Sequence, residues 1–398
     1  MKRAILQIFN RYLNVGGEEQ FTRLLAGALE SDYDVDTYAG STEALLGNGI
    51  LGRVKAPLKA WHNDDVVRDL LRMQAEKRYA VWIIHNVMPA LSPAVYTTAF
   101  ELGVPIVHYL HNFRLMCANG LLLNHGEPCE RCLNGNFMPA FTTACWRNDR
   151  IASGMMGLIL KRVRALDVFG RVDAWIALNQ HQKRKHVEVG VPDERIHVVS
   201  NFVEMIPDVP MSNAKGDVLY LGRLSHEKGL VNLIHAWSRI DSRGRRLRIA
   251  GSGDEEGRLR ALVGELGLNS VVFLGPVPRE KHAQLWGECA FSVIPSICHD
   301  VFPLALLESW MNGRAVVASR LGGCGEIIDQ RRDGLLVEPY SVDSLAQGLQ
   351  EMIDDPDGVA AMGEGGRRRV LTEFSRDVWL SNVRRVLDGV IHSAPAHA

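Results

Sequence analysis

Short runs of β-branched and apolar residues recur along this chain with helical stretches between them. That alternation allows little except a parallel sheet packed by helices on both faces. In the first half the runs are Ala4 to Phe9, Ala80 to Ile84, Pro105 to Tyr109 and Ala174 to Ala177. In the second half they are Val218 to Leu221, Leu247 to Ala250, Val271 to Leu274, Phe291 to Ile294, Ala315 to Ala318 and Gly334 to Val337. Between the halves, Glu204 to Gly216 holds two prolines, small polar residues and no hydrophobic period, the composition of an interdomain connection. The chain therefore reads as α/β, with two doubly wound units at 1–204 and 217–375. Its 398 residues exceed what one ordinary core absorbs, which agrees with two domains. Residues 376–398 carry apolar positions at Val378, Trp379, Val383, Val386, Leu387 and Ile391, the stripe of an amphipathic helix.

Charge and cysteine usage remove several classes of function. Lys and Arg number 45 against 46 Asp and Glu, a formal charge of −1, so the basic field that a nucleic-acid partner demands is missing. The start, MKRAILQIF, is too short an apolar run for a cleavable secretory signal and reads as a first buried strand. With seven cysteines, an odd count, this points to a reducing, cytoplasmic setting and against a disulfide framework. The longest apolar candidate for a membrane span, Ile151 to Leu160, is broken by Ser153, Gly154 and Gly157. Basic clusters at Lys161 to Arg164 and Lys183 to Lys185 suit either solvated helix faces or peripheral contact with anionic headgroups.

Open α/β sheets bind ligands beyond the carboxyl ends of their strands, so residues that follow the runs carry the chemistry. Pro295 to Gly313 sets Asp300 in a loop and Glu308 about two turns into the segment after it, roughly 12 Å apart along an ideal helix axis. Two carboxylates so spaced suit the hydroxyl groups at opposite ends of one elongated diphosphate ligand, a nucleotide sugar in shape. Leu304, Leu306, Leu307 and Trp310 surround Glu308 with apolar residues where a solvated face would be polar. After Val218 to Leu221 come Gly222 and Arg223, then Lys228 and Gly229, a planar fork and a compact charge suited to phosphate. Gly16 and Gly17 open a helical pattern after the first run, where backbone N–H groups can meet an anion. His111 stands at the exit of Pro105 to Tyr109, within reach of a bound sugar or phosphate.

Taken in order, these residues resemble the family-4 retaining glycosyltransferases of the GT-B fold. The further points of likeness are Gly251-x-Gly253, Phe273-Leu274-Gly275, Pro295-Ser296, Gly322-Gly323-x-Gly325-Glu326 and Gly334 to Pro339. The resemblance implies two facing Rossmann-like domains and retaining, metal-independent transfer from a UDP- or GDP-sugar to a saccharide or lipid-linked acceptor, in polysaccharide or glycolipid assembly. It places the donor on the second domain, with Arg223 and Lys228 on the leaving diphosphate, Glu308 on the ribose and Val277 toward the base. Asp300, Val301, Phe302 and Leu304 would address the sugar, His111 would sit near the reaction centre, and the last helix would pack back on the first domain. Two departures stand out: Asp300 replaces a usual Glu, and Pro303 replaces a frequent glycine and has no N–H to donate. The location implied is cytoplasmic, with peripheral contact at the inner face of the plasma membrane. A nicotinamide-dependent oxidoreductase also has doubly wound sheets, but the full glycine fingerprint is missing after the first run. A nucleotide-sugar epimerase of the same architecture, or a binding protein without turnover, stays open.

Cys117, Cys129, Cys132 and Cys145 form C-x11-C-x2-C-x12-C in an insertion at about 112–150. The count matches a structural tetrahedral zinc site, and free buried thiols are the competing reading.

Overall fold

The computed structural model describes residues 2–11, 17–46, 50–204 and 213–393. The chain divides into two compact units: Met1–His125, Cys129–Val199 and Leu380–Ala398 form the first, and Gly126–Pro128 with Ser200–Trp379 the second. No helix among the described residues is long and apolar enough to cross a membrane.

The first unit is built on β1 (Arg3–Arg11), β2 (Tyr33–Ser41), β3 (Val81–Ile84), β4 (Ile106–Tyr109), β7 (Ala174–Ala177) and β8 (Ile196–Val198), all parallel, in the order β2-β1-β3-β4-β7-β8. The short strands β5 (Leu123–Asn124) and β6 (Glu127–Pro128) pair only with each other. The central strands β3, β4 and β7 are buried along their whole length, as strands covered by helices on both faces must be. The sequence did not single out β2, whose YDVDTYAGS alternates Asp with apolar residues because it lies at a half-exposed sheet edge. Nor did it mark the three-residue β8. The strand order reverses direction between β1 and β3.

The second unit has β9 (Asp217–Leu221), β10 (Leu247–Ala250), β11 (Val271–Gly275), β12 (Cys289–Ile294), β13 (Ala315–Ser319) and β14 (Gly334–Val337), again all parallel, in the order β11-β10-β9-β12-β13-β14. This is the doubly wound dinucleotide-fold order, and its reversal falls between β9 and β12. Its core joins Val218, Ile249, Phe291 and Val317 from the sheet to Leu233, Leu349 and Met352 from the covering helices.

Helix Arg376–Ser393 begins in the second unit, where Trp379 packs on Phe202 at 4.9 Å between ring centres. It ends in the first, where Arg384 donates to Asp32 at 2.8 Å and Tyr33 donates to Asp388 at 3.4 Å.

One buried ion pair fixes helix Pro356–Thr372 of the second unit. Arg369 donates to Asp333 at 2.6 Å and to the Ile327 carbonyl at 2.7 Å, with its guanidinium 5.2 Å from the centre of the Trp310 ring. Asp333 is fully buried and also accepts from the Asp329 N–H at 2.9 Å. Removing one member of such a pair strands the other's charge, so Asp333→Ala is expected to cost about 3–5 kcal/mol. Urea denaturation followed by Trp fluorescence checks this; an unchanged midpoint would contradict it.

Candidate functional site

At the reversal of the second sheet, the loops after β9 and β12 interlock. The Ile297 N–H donates to the Glu227 carbonyl at 2.9 Å. Gly229 has φ +71° and leaves no room for a side chain, since a Cβ would lie 2.0 Å from the Pro295 oxygen. A comparable approach brings Gly251 (φ +133°) against the Gly222 oxygen, 1.9 Å from a built Cβ. Here the glycines serve loop-to-loop packing.

That packing brings Lys228 and Asp300 together across 72 residues of sequence. Lys228 Nζ donates to both carboxylate oxygens at 2.7 Å, and the Ser296 hydroxyl donates to Oδ2 at 2.5 Å. Burial by itself would push the Lys228 ammonium down; the Asp300 carboxylate beside it reverses this and holds its pKa above the usual lysine range. Burial would likewise raise Asp300, but the Lys228 charge outweighs it and keeps the carboxyl below its ordinary value. Both are ionised at neutral pH. Arg223 is half exposed and pairs with Glu227 at 3.1 Å, which also accepts from Ser225 at 2.7 Å. The two cations expected at a diphosphate thus each have an acid of the same unit as partner. Asp300, expected to meet a sugar, is occupied by Lys228 and Ser296.

Helix Leu304–Met311 starts after Asp300, so Glu308 lies only about one turn into it. The axial spacing of an ideal two-turn helix between Asp300 and Glu308 therefore does not apply. Burial raises the Glu308 carboxyl to about 7, with the Arg279 charge a weaker opposing influence. Val301 and Phe302 turn their side chains inward, both nearly buried, with Phe302 edge-on to Phe374. Their side chains serve packing, and a ligand would meet their main chain. Val277 is half-buried beside the Trp286 cluster, its carbonyl taking a 3.2 Å contact from His282.

At the reversal of the first sheet, Glu18 in the first turn of helix Gly17–Leu29 accepts from Asn86 Nδ2 at 2.7 Å, just beyond β3. Its other oxygen is buried with no hydrogen-bond partner. Burial raises this carboxyl to about 7, opposed by Asn86 and by the Arg114 charge. His111, beyond β4, lies 2.7 Å from His85 Nδ1 through its Nε2, with the two rings stacked at 4.9 Å. Burial lowers His111 to about 3 and His85 well below the usual range, so the pair is neutral and one ring donates to the other. His85 Nε2 is buried without a partner. Gly17 opens its helix as expected, whereas Gly16 lies outside the described residues. The sequence reading missed Glu18, His85 and Asn86; a signal was present in Glu18 following the glycine pair.

The four insertion cysteines line a single cavity and are all free thiols. Burial first, then the neighbouring thiols, push Cys132 to about 11 and Cys145 to about 12. Among the described residues no three His, Cys, Asp or Glu side chains are already set in metal-coordinating geometry. The basic clusters are largely spent on the fold. Arg162 donates to the Trp61 carbonyl and Arg164 to the Leu133 carbonyl, while Lys183 pairs with Asp193 and Lys185 with Glu130 and Glu188.

Residues 15–205 match the model described as Glycosyltransferase Family 4, and residues 204–369 that described as Glycosyl transferases group 1. A segment of 215 residues, 52% of this chain, is 33% identical to the exopolysaccharide phosphotransferase of Streptomyces coelicolor, covering 22% of that protein. A second, of 151 residues and 37% of the chain, is 30% identical to the MMP alpha-(1->4)-mannosyltransferase of Mycolicibacterium hassiacum, covering 36% of it. The chain thus spans well under half the length of these curated relatives. Among solved structures, sucrose-phosphate synthase from Thermosynechococcus elongatus superimposes with TM-score 0.73 at 18% identity, over 98% of this chain and 100% of that one. HepE from Anabaena, solved with UDP-glucose, gives 0.67 at 18% identity over 96% and 99%.

Glu308 yields a stability test. Its folded pKa of about 7 stands above the ordinary 4.5, so the folded chain holds that proton more tightly and the acid costs stability as pH rises between those values. Glu308→Gln is therefore expected to raise Tm more at pH 8 than at pH 5. Thermal melts showing an equal shift at both would count against a buried, proton-holding carboxyl.

Proposed function

We propose that this chain, a member of the family-4, group-1 glycosyltransferases with the GT-B fold, moves a sugar from a UDP- or GDP-sugar to a saccharide or lipid-linked acceptor. The setting would be polysaccharide or glycolipid assembly in the cytoplasm, with retention of anomeric configuration and no catalytic metal, as the family resemblance implies. The observation that carries the reading is the set of charges at the reversal of the second sheet. Two permanent cations, Lys228 and Arg223, stand there with an ionised Asp300 and a protonatable Glu308.

Departure of the nucleoside diphosphate concentrates negative charge on its terminal phosphate, and a cation fixed in advance stabilises that charge without reorganising. Asp300 holds the Lys228 ammonium in place for this task and so acts as a positioning residue. Arg223 adds its planar fork by exchanging Glu227 for phosphate oxygens. Glu308 accepts from the two ribose hydroxyls; those donors favour its anion, so donor binding near neutral pH releases a proton. Val277 faces the base, and the main chain of Val301, Phe302 and Leu304 meets the sugar. In the first unit, Glu18 accepts a hydrogen bond from the acceptor hydroxyl in its ionised form, beside the neutral His111.

Incubation with UDP- and GDP-sugars, with and without lipid-linked or saccharide acceptors, tests the whole reading by mass spectrometry. Acceptor-dependent consumption of donor is expected, and interconversion of the donor alone would replace transfer with epimerisation. Arg223→Ala should lower kcat about 10²–10³-fold with an unchanged circular dichroism spectrum; wild-type turnover would remove Arg223 from the diphosphate. If Glu18 works as a carboxylate, kcat/KM rises with pH and levels off above about 7. Glu18→Gln should abolish that rise, and a profile unchanged by the substitution would exclude the role.

A further inference from the structure

We propose that the insertion of the first unit is a structural zinc site whose ligands are the thiolates of Cys117, Cys129, Cys132 and Cys145. Residues far apart in sequence reach one cavity here from separate pieces of chain. Cys117 precedes the paired strands β5 and β6. Cys129 follows them directly, with its N–H donating to the Leu122 carbonyl at 2.8 Å. Cys132 closes a turn in which the Leu133 N–H donates to Glu130 at 3.1 Å and the Gly135 N–H donates to Cys132 at 3.0 Å. Cys145 lies two residues past helix Met138–Thr143, its N–H bonded to the Ala140 carbonyl. Asn119 clips the ends together: its Oδ1 accepts from the Cys117 thiol at 3.0 Å, and its Nδ2 donates to the Leu123 carbonyl at 2.6 Å and the Cys145 carbonyl at 3.3 Å.

The backbone around these residues is poorly provided with regular structure. Between Asn112 and Asp149 the only elements are the two-residue strands β5 and β6 and one six-residue helix. Leu122, His125, Ala144, Arg147 and Asn148 all hold positive φ there, between 49° and 60°. Side chains at such angles are strained and persist only where something else over-determines the fold. A metal cross-link supplies that in a loop-rich segment too small for a core of its own. The other three cysteines, Cys289, Cys298 and Cys324, are buried in the second unit, and none of them lines this cavity.

Four thiolates around one tetrahedral centre at about 2.3 Å favour zinc over harder cations. Closing the site takes side-chain rotation. The Cys117 thiol turns from Asn119 toward the cavity, while Arg131 Nε, 3.3 Å from Cys129 Sγ, remains as a donor to the thiolate. Each thiol gives one proton to solvent, four per zinc, and nothing is oxidised or reduced. The net charge of the filled site is −2, which the Arg131 guanidinium partly offsets.

The test uses the full chain purified under reducing conditions without chelator. Elemental analysis is expected to find about one zinc per chain, released by a mercurial reagent as four thiols are titrated. Cobalt added to the stripped chain should give the intense ligand-field bands of a tetrahedral site with thiolate charge-transfer bands. The C129S/C132S double variant should hold less than about a tenth of wild-type zinc, from the loss of two of four ligands, whereas C289S keeps it all. If the double variant fails to fold, the cobalt spectrum of the wild-type chain still decides. A folded wild-type chain that is free of zinc and gives no thiolate–cobalt bands overturns the proposal. So does a Cys129–Cys132 disulfide in a non-reduced digest of that chain.

Discussion

Lys228 and Asp300 hold two loops together where the strands of the second sheet change direction, and much of the proposed chemistry depends on that pair. A part-buried ammonium and a part-buried carboxylate would each be unwelcome alone. Together they keep both charges at neutral pH, and the carboxylate keeps room to accept from Ser296. A cation that is already partly desolvated and held in place differs from a surface lysine, which each ligand would have to order. The interlocked glycines are the steric counterpart of this electrostatic fastening, because a Cβ at Gly229 would force the loops apart.

The two sheets use one architectural rule twice. Each reversal of strand order leaves a crevice at the carboxyl ends, and each is furnished with a carboxyl whose burial brings it to about 7: Glu308 in the second unit and Glu18 in the first. Their surroundings differ. Glu18 is held by the Asn86 amide and lies within the influence of the Arg114 charge, whereas Glu308 is set in a helix among leucines. In the proposed function the first carboxyl meets the hydroxyl that reacts and the second the hydroxyls that are only gripped.

Much of this arrangement is legible in the residues themselves. Apolar runs such as Ala174 to Ala177 and Gly334 to Val337 became strands with those same limits, because a strand buried on both faces has no polar positions to blur its ends. Glu308 could be recognised from its leucine neighbours. What could not be read locally came from pairing across the fold. The contact between Lys228 and Asp300 depends on β9 and β12 being adjacent although two strands intervene in sequence, and that between His85 and His111 on β3 lying beside β4. The pairing of Asp300 with Lys228 was therefore not foreseen. The edge strand β2 was missed for a related reason: half exposed, it can carry aspartates that a central strand excludes.

The path of the last helix has a practical consequence for anyone dissecting this protein. Because the first unit takes its final stretch from Leu380 onward, the polypeptide passes from one unit to the other near Val199 and returns near Trp379. A gene fragment stopped at residue 199 would omit the partners of Asp32 and Tyr33 and leave Arg384 and Asp388 behind on the discarded piece. Expressing the first unit alone calls for joining the segment from Leu380 onward back to a chain that otherwise stops at residue 199.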